Sequence, residues 1–150
     1  MDYSIEKSNI SDLPDIAKLN QDIFSRMYEN EPYNLKDFQN KLQDKKPLIL
    51  AAKHNDKLIG FSISFPRNNS FYIWILGVLD PYRKHGIASK ILDKNKKFAK
   101  DNGFTTMIIK TYNVSPEMLR LLIKHGYYIV DVEKSDTSPK YNSIHLQLDI

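Results

Sequence analysis

Between Leu48 and Ala99 the chain follows an order that few folds accommodate: three strand-like runs in series, a short basic turn holding one glycine, and an amphipathic helix. Leu48-Ile49-Leu50-Ala51-Ala52 is almost continuously apolar, and Asn55-Asp56 is turn chemistry. Phe61, Ile63 and Phe65 alternate with Ser62 and Ser64, the period of a half-buried strand. Pro66-Arg67-Asn68-Asn69 turns the chain into a further strand, Phe71 to Leu79, so an antiparallel meander is expected. Gly77 inside that last strand predicts a bulge or a close backbone approach near Leu76, Gly77 and Val78.

Asp80-Pro81-Tyr82-Arg83-Lys84-His85-Gly86-Ile87-Ala88-Ser89 joins this strand to the helix. Two cations, a glycine that lets a ligand approach the backbone, and the open amides of a helix start make a cradle suited to phosphate groups. Taken alone, such a turn is more often a plain strand-to-helix connection with solvated side chains.

The flanks complete a mixed order. Tyr3 to Lys7 reads as a first strand, and Ser11 precedes a helix whose apolar face is Leu13, Ile16, Ala17, Leu19, Ile23 and Phe24. Met27 to Tyr33 reads as a connection, and Leu35, Phe38 and Leu42 mark a second short helix. After the turn, Ile87, Ala88, Ile91, Leu92, Phe98 and Ala99 form a helix face that ends at Asp101-Asn102-Gly103. Phe104 to Tyr112 is a buried strand, Ser115-Pro116-Glu117 starts a helix that stops at Gly126, and strands follow at Tyr127 to Val132 and Ile144 to Leu148. Strand, two helices, three strands, helix, strand, helix and two strands predict an α/β (α+β layered) fold around one mostly antiparallel sheet. At 150 residues the chain is expected to be a single domain, residues 1–150.

Composition removes several functions. With no cysteine there are no disulfides, thiolate nucleophiles or cysteine-bound zinc, and the four histidines, His54, His85, His125 and His145, show no metal-ligand spacing, so no metal is expected. A formal net charge of +4 favours anionic partners only mildly. Lys94, Lys96, Lys97 and Lys100 read as the solvated face of a helix, which argues against nucleic acid. The start, Met1 to Glu6, has no secretory pattern and no run approaches about 18 apolar residues, so a soluble, cytoplasmic protein without a membrane is expected.

Arg83-Lys84-His85-Gly86-Ile87-Ala88 resembles the Arg/Gln-x-x-Gly-x-Gly/Ala signature of the GNAT superfamily of acyl-CoA-dependent N-acyltransferases. Leu121-Leu122-Ile123-Lys124-His125-Gly126-Tyr127 resembles that family's second signature, a short helix ending in Gly-Phe or Gly-Tyr, and the resemblance covers essentially the whole chain. It implies a mixed sheet of about seven strands, splayed in the middle and flanked by about four helices. It also implies acetyl-CoA as co-substrate and an N-acetyltransferase acting on a primary amine of a small molecule, peptide or protein. Carried onto this chain, the cofactor-binding residues are Leu76, Val78, Arg83, Lys84, His85, Gly86, Ile87, Ala88, Ser89 and Asn113.

The chain departs from the family at two places. Four residues before Gly126, where the family often places a tyrosine as general acid for the thiolate, stands Leu122. The strand before the turn carries none of the carboxylates that many relatives use as base. Tyr112, Ser115 and Tyr127 are the expected substitutes for the acid, and Glu29, Glu31 and Glu117 are carboxylates in segments that reach the cleft, Glu117 also suiting a helix N-terminus. Tyr72 and Trp74 share one strand face, facing either the acceptor or the core. These departures keep a non-catalytic acyl-CoA-binding module as the alternative, and a homodimer is left open.

Overall fold

The structure, a computed structural model, describes residues 1–25 and 31–150. Most of the connection expected from Met27, and the base candidate Glu29, lie outside the described residues. Among the described residues the order is β1 (Ser4–Ser8), α1 (Leu13–Phe24), α2 (Leu35–Leu42), β2 (Leu48–His54), β3 (Lys57–Arg67), β4 (Ser70–Val78), α3 (Ile87–Asp101), β5 (Thr106–Tyr112), α4 (Pro116–Lys124), β6 (Tyr128–Glu133) and β7 (Ser143–Asp149). Seven strands form one sheet in the order β1-β2-β3-β4-β5-β7-β6. Every neighbouring pair is antiparallel except β4 with β5.

Each sheet face buries a different helix pair. On one side Ile87, Ile91, Leu92 and Ala99 of α3 and Leu122 of α4 pack on Ile73, Val78, Met107 and Leu146. On the other, Leu13, Ile16, Leu19 and Ile23 of α1 and Phe38 of α2 pack on Phe61, Ile63, Phe65 and Tyr72. Strand alternation delivers these two sets, because successive side chains of β3 and β4 point to opposite layers.

The first hairpin turns at Asn55-Asp56 as expected, and the second is tighter than the sequence suggested. Asn55-Asp56 and Asn68-Asn69 all have positive φ, the pattern of two-residue turns whose twist matches the strands. Pro66 and Arg67, expected in the second turn, instead continue β3 opposite Phe71 and Ser70. The helix α1 is entered through a single turn at Ile10–Asp12, where the Asn9 side chain accepts from the amide of Ser11, so Asn9 rather than Ser11 is the capping residue.

One further correction bears on function. The bulge in β4 lies at Trp74, not at Leu76 to Val78: Ile63 pairs with Ile75 and Ser64 with Ile73, leaving Trp74 extra. As a result Trp74 and Ile75 both face the α1/α2 layer, while Leu76 and Val78 face the α3/α4 layer. Gly77 marks the close approach, since a Cβ there would stand 2.9 Å from Cζ of Phe24 at the end of α1.

Asn95 fixes how α3 lies on the sheet. Fully buried, it accepts from Ser64 Oγ at 2.6 Å and donates to Ser62 Oγ at 3.1 Å and to the Ile91 carbonyl at 2.9 Å. A buried amide with these partners met is position-specific, so the middle of α3 is held in one place relative to β3.

Candidate functional site

The parallel contact between β4 and β5 lasts for three residue pairs, Phe71 with Met107, Tyr72 with Ile108 and Ile73 with Ile109. Past them β4 bulges and follows β3, whereas β5 continues along β7 as far as Tyr112 opposite Ser143. A fork therefore opens between Trp74–Val78 and Lys110–Tyr112.

Register decides what lines it. Leu79 N donates to Ile59 O at 2.8 Å, which places Leu79, Gly77 and Ile75 at the positions bonded to β3. The peptide groups of Leu76 and Val78 consequently point the other way, into the fork. The Val78 carbonyl is taken by Arg83, whose Nε donates to it at 3.0 Å while Nη1 reaches Asp80 Oδ1 at 3.3 Å. What remains at the fork from Val78 is its N–H.

The basic turn closes the same end. Lys84 and Gly86 both adopt left-handed φ, 65° and 79°, and a Cβ on Gly86 would have Tyr3 Oη, 3.8 Å away, as its near neighbour. The first backbone bond of α3 runs from Lys90 N to Gly86 O at 3.0 Å, so the amides of Ile87, Ala88 and Ser89 have no acceptor within the helix. They meet the positive end of the α3 dipole beside the exposed Lys84 and His85. The sequence showed these residues but not two ties that hold them. The Tyr3 hydroxyl donates to the His85 carbonyl at 3.3 Å, and Ser89 Oγ lies 2.5 Å from Nε2 of His125 at the end of α4. Both ties join segments distant in sequence, and no local pattern announces them.

At the start of α4 the expected residues separate. Ser115 occupies the cap position without a side-chain capping bond, and its Oγ is buried with no partner among the described residues. Asn113 is exposed, and its Nδ2 donates to the Pro139 carbonyl at 2.9 Å, which ties it to the loop between β6 and β7. Leu122 is fully buried among the α3/α4-side residues. Tyr127 lies in the same core, with its hydroxyl directed at Met107 Sδ at 3.8 Å and its pKa pushed far up by burial. A phenol held there is a poor proton donor to anything at the fork.

The α1/α2 face of the fork is aromatic. Trp74 lies 5.2 Å from Tyr33 and 5.4 Å from Phe38 between ring centroids. Tyr72 packs on Phe65 and is raised in pKa chiefly by burial, with Arg67 opposing. Tyr112, half-buried, is raised by burial and then by Tyr33 and Glu133. Glu133 Oε2 lies 3.5 Å from Nε2 of His145, whose strand places it opposite Lys110. Sequence reading assigned none of Glu133, His145 and Tyr33 a role at the fork; Glu133 and His145 meet through the pairing of β6 with β7, and Tyr33 reaches Trp74 from the segment before α2. A separate solvent-open groove of about 380 Å³ runs between α1 and the β2–β3 hairpin, walled by Asp12, Asp15, Lys53 and Lys57, with no β5 residue.

Comparison with known proteins agrees with this architecture. Residues 13–127 match the model of the acetyltransferase (GNAT) family. The ribosomal-protein-S18-alanine N-acetyltransferase of Escherichia coli superposes with a TM-score of 0.85 at 17% identity, over 99% of this chain and 94% of that one. Ard1 of Thermoplasma volcanium gives 0.84 at 12% identity, over 100% and 99%. The PaiA N-acetyltransferase of Thermoplasma acidophilum, solved with coenzyme A, gives 0.77 at 19% identity over 100% of both chains. At these identities the superpositions speak to the fold.

Proposed function

The chain belongs to the acetyltransferase (GNAT) family and is by that membership an acyl-CoA-dependent N-acetyltransferase; on that premise we propose that the fork binds acetyl-CoA from the α3/α4 side and admits a primary amine of a small molecule or peptide from the α1/α2 side. Acetyl-CoA supplies the activated thioester. The observation that carries the reading is the fork, with the Leu76 backbone groups and the Val78 N–H open along it and the start of α3 at its end.

The residues fit such a ligand in three ways. The open edge of β4 can pair with an extended pantetheine arm as an added strand does. The amides of Ile87, Ala88 and Ser89, with Lys84, His85 and Gly86 before them, suit a pyrophosphate. Ser115 Oγ is a buried hydroxyl without a partner, and a polar ligand would satisfy it.

Within this frame Val78 N–H donates to the thioester carbonyl and stabilises the charge that develops there. Arg83 holds the Val78 peptide in place and adds positive charge beside the phosphates. Asn113, whose amide nitrogen is committed to Pro139, offers its Oδ1 to pantetheine. A thiol with an unperturbed pKa of about 8.5 leaves without a strong acid, so Tyr112 or Ser115 suffices where the family tyrosine is replaced by Leu122. Tyr127, in the core, takes no such part.

No described helix is long and apolar enough to cross a membrane. A second copy is accommodated at the free edge of β6, where Ile129, Val130 and Val132 are about half exposed. Calorimetric titration with acetyl-CoA tests the site. Gly86→Ala and Gly86→Glu share the backbone strain of a positive φ, and the second alone sets a carboxylate against the phosphates. Binding lost in the Glu variant and kept in the Ala variant is the expected result; equal binding in both would remove the phosphates from this turn.

A further inference from the structure

Four cations lie on the α1/α2 face of the sheet, from its paired stretch to the branch of the fork, each over an aromatic ring. Lys41 Nζ, in the last turn of α2, sits 5.8 Å from the Trp74 ring centroid, and Lys45 Nζ sits 5.2 Å from that of Phe65. The Arg67 guanidinium, at the end of β3, lies 5.0 Å from Tyr72, and Lys110 Nζ lies 5.9 Å from Tyr112. Lys110 is the residue after Ile109, the last of β5 to pair with β4, so it stands at the branch point itself.

Among the described residues, none of the four makes an ion pair with a carboxylate. Three of them act on the fourth: the Lys41 ammonium is lowered in pKa by burial first, then by Lys45, Arg67 and Lys110. Four cations held over ring faces, in ion-pair contact with no carboxylate among the described residues, form a site that an anion relieves. The acidic group nearby is of a different kind. Glu133 acts on Tyr112 and lies against His145, which pairs with Lys110, so it stands at the β6 side of the same sheet face.

From this arrangement we propose that the acceptor is an acidic amine, a molecule whose reacting amino group is accompanied by carboxylates, with Lys41, Lys45, Arg67 and Lys110 holding the carboxylates and Glu133 facing the amino group. Free amino acids with acidic side chains and peptides with acidic residues after a free N-terminus share this chemistry. The inference rests on the acetyltransferase reading of the same fork, because it names what enters from the α1/α2 side.

The chain carries its own probe. Trp74, beneath Lys41, is its one tryptophan, so its fluorescence reads acceptor binding without turnover. In the presence of coenzyme A the protein is titrated with Ala-Glu-Glu, Ala-Gln-Gln and Ala-Lys-Lys, and with free glutamate and glutamine. A saturable change with Ala-Glu-Glu at least tenfold tighter than with the neutral and basic peptides is expected, weakened at least tenfold in Lys110→Glu. Glutamate responding as strongly as Ala-Glu-Glu would assign the site to a free amino acid, and a response to the peptide alone would assign it to an acidic N-terminus. Equal responses to acidic and neutral ligands, or a preference for Ala-Lys-Lys, overturn the inference. Loss of acetyl-CoA binding in Gly86→Glu is independent of these titrations, so failure of the cation site and failure of the fork as acetyl-CoA site are told apart.

Discussion

Arg83 Nε lies 3.0 Å from the carbonyl oxygen of Val78, so the side chain that begins the basic turn also occupies the last outward-facing carbonyl of β4. Removing it leaves the amide of Val78 less fixed and takes one positive charge from the phosphate end. Arg83→Ala is expected to weaken acetyl-CoA binding about tenfold, or about 1.4 kcal/mol. Arg83→Lys should recover little, because an ammonium lacks the forked donors that reach Val78 and Asp80 together. Titration calorimetry decides it, with circular dichroism to confirm folding; unchanged affinity in both variants would detach Arg83 from the site.

Ser115 gives a prediction with two readouts of opposite sign. Its hydroxyl is buried and unpartnered, and such a group costs about 1–3 kcal/mol in the free protein. Ser115→Ala should therefore leave stability equal or higher in urea unfolding without ligand, while acetyl-CoA affinity falls several-fold. A variant destabilised without ligand would mean that the hydroxyl has a structural partner.

The order of elements was legible in the residues, because alternation in β3 and helical spacing in α3 are local signals. Gly86 and Gly126 were legible for the same reason: each takes a left-handed φ at a helix boundary that its neighbours already announce. The bulge was not. Gly77 drew attention to itself, yet its missing side chain makes room for Phe24, and the extra residue is Trp74, whose placement depends on pairing with β3. Lys110, Arg67 and Lys41 are scattered along the sequence and meet only through the strand order and the packing of α2. Ser115 was chosen from its position before Pro116, but the burial of its hydroxyl is a tertiary fact.

Gly77 offers a direct test of packing between α1 and β4. A methyl group there would come within 3.1 Å of Ile23 Cδ1 as well as 2.9 Å of Phe24 Cζ. Gly77→Ala is expected to destabilise by about 1–3 kcal/mol, the usual range for overpacking a filled core. Combining it with Phe24→Leu should restore part of the loss, since the shorter side chain vacates the space. Additive losses in the double variant would show that the clash is absorbed elsewhere.

Tyr127 separates a core role from a catalytic one. Its phenol is 4% exposed and its pKa is raised by burial above the usual value of about 10. Below pH 10 both folded and unfolded chains keep the proton, so stability does not depend on this group. Above pH 10 the unfolded chain releases the proton while the folded chain retains it, and stability falls by up to about 1.4 kcal/mol per pH unit. Tyr72 and Tyr112 are shifted in the same direction, so the test is the difference between wild type and Tyr127→Phe. The Phe variant loses only a long contact to Met107 Sδ, 3.8 Å, and should match wild type near pH 8 in both stability and acetyl transfer. In urea unfolding at pH 8 and pH 11 its stability should fall less than that of wild type. Equal falls would place the ionising phenol elsewhere, and acetyl transfer lost at pH 8 with stability intact would return Tyr127 to the reaction.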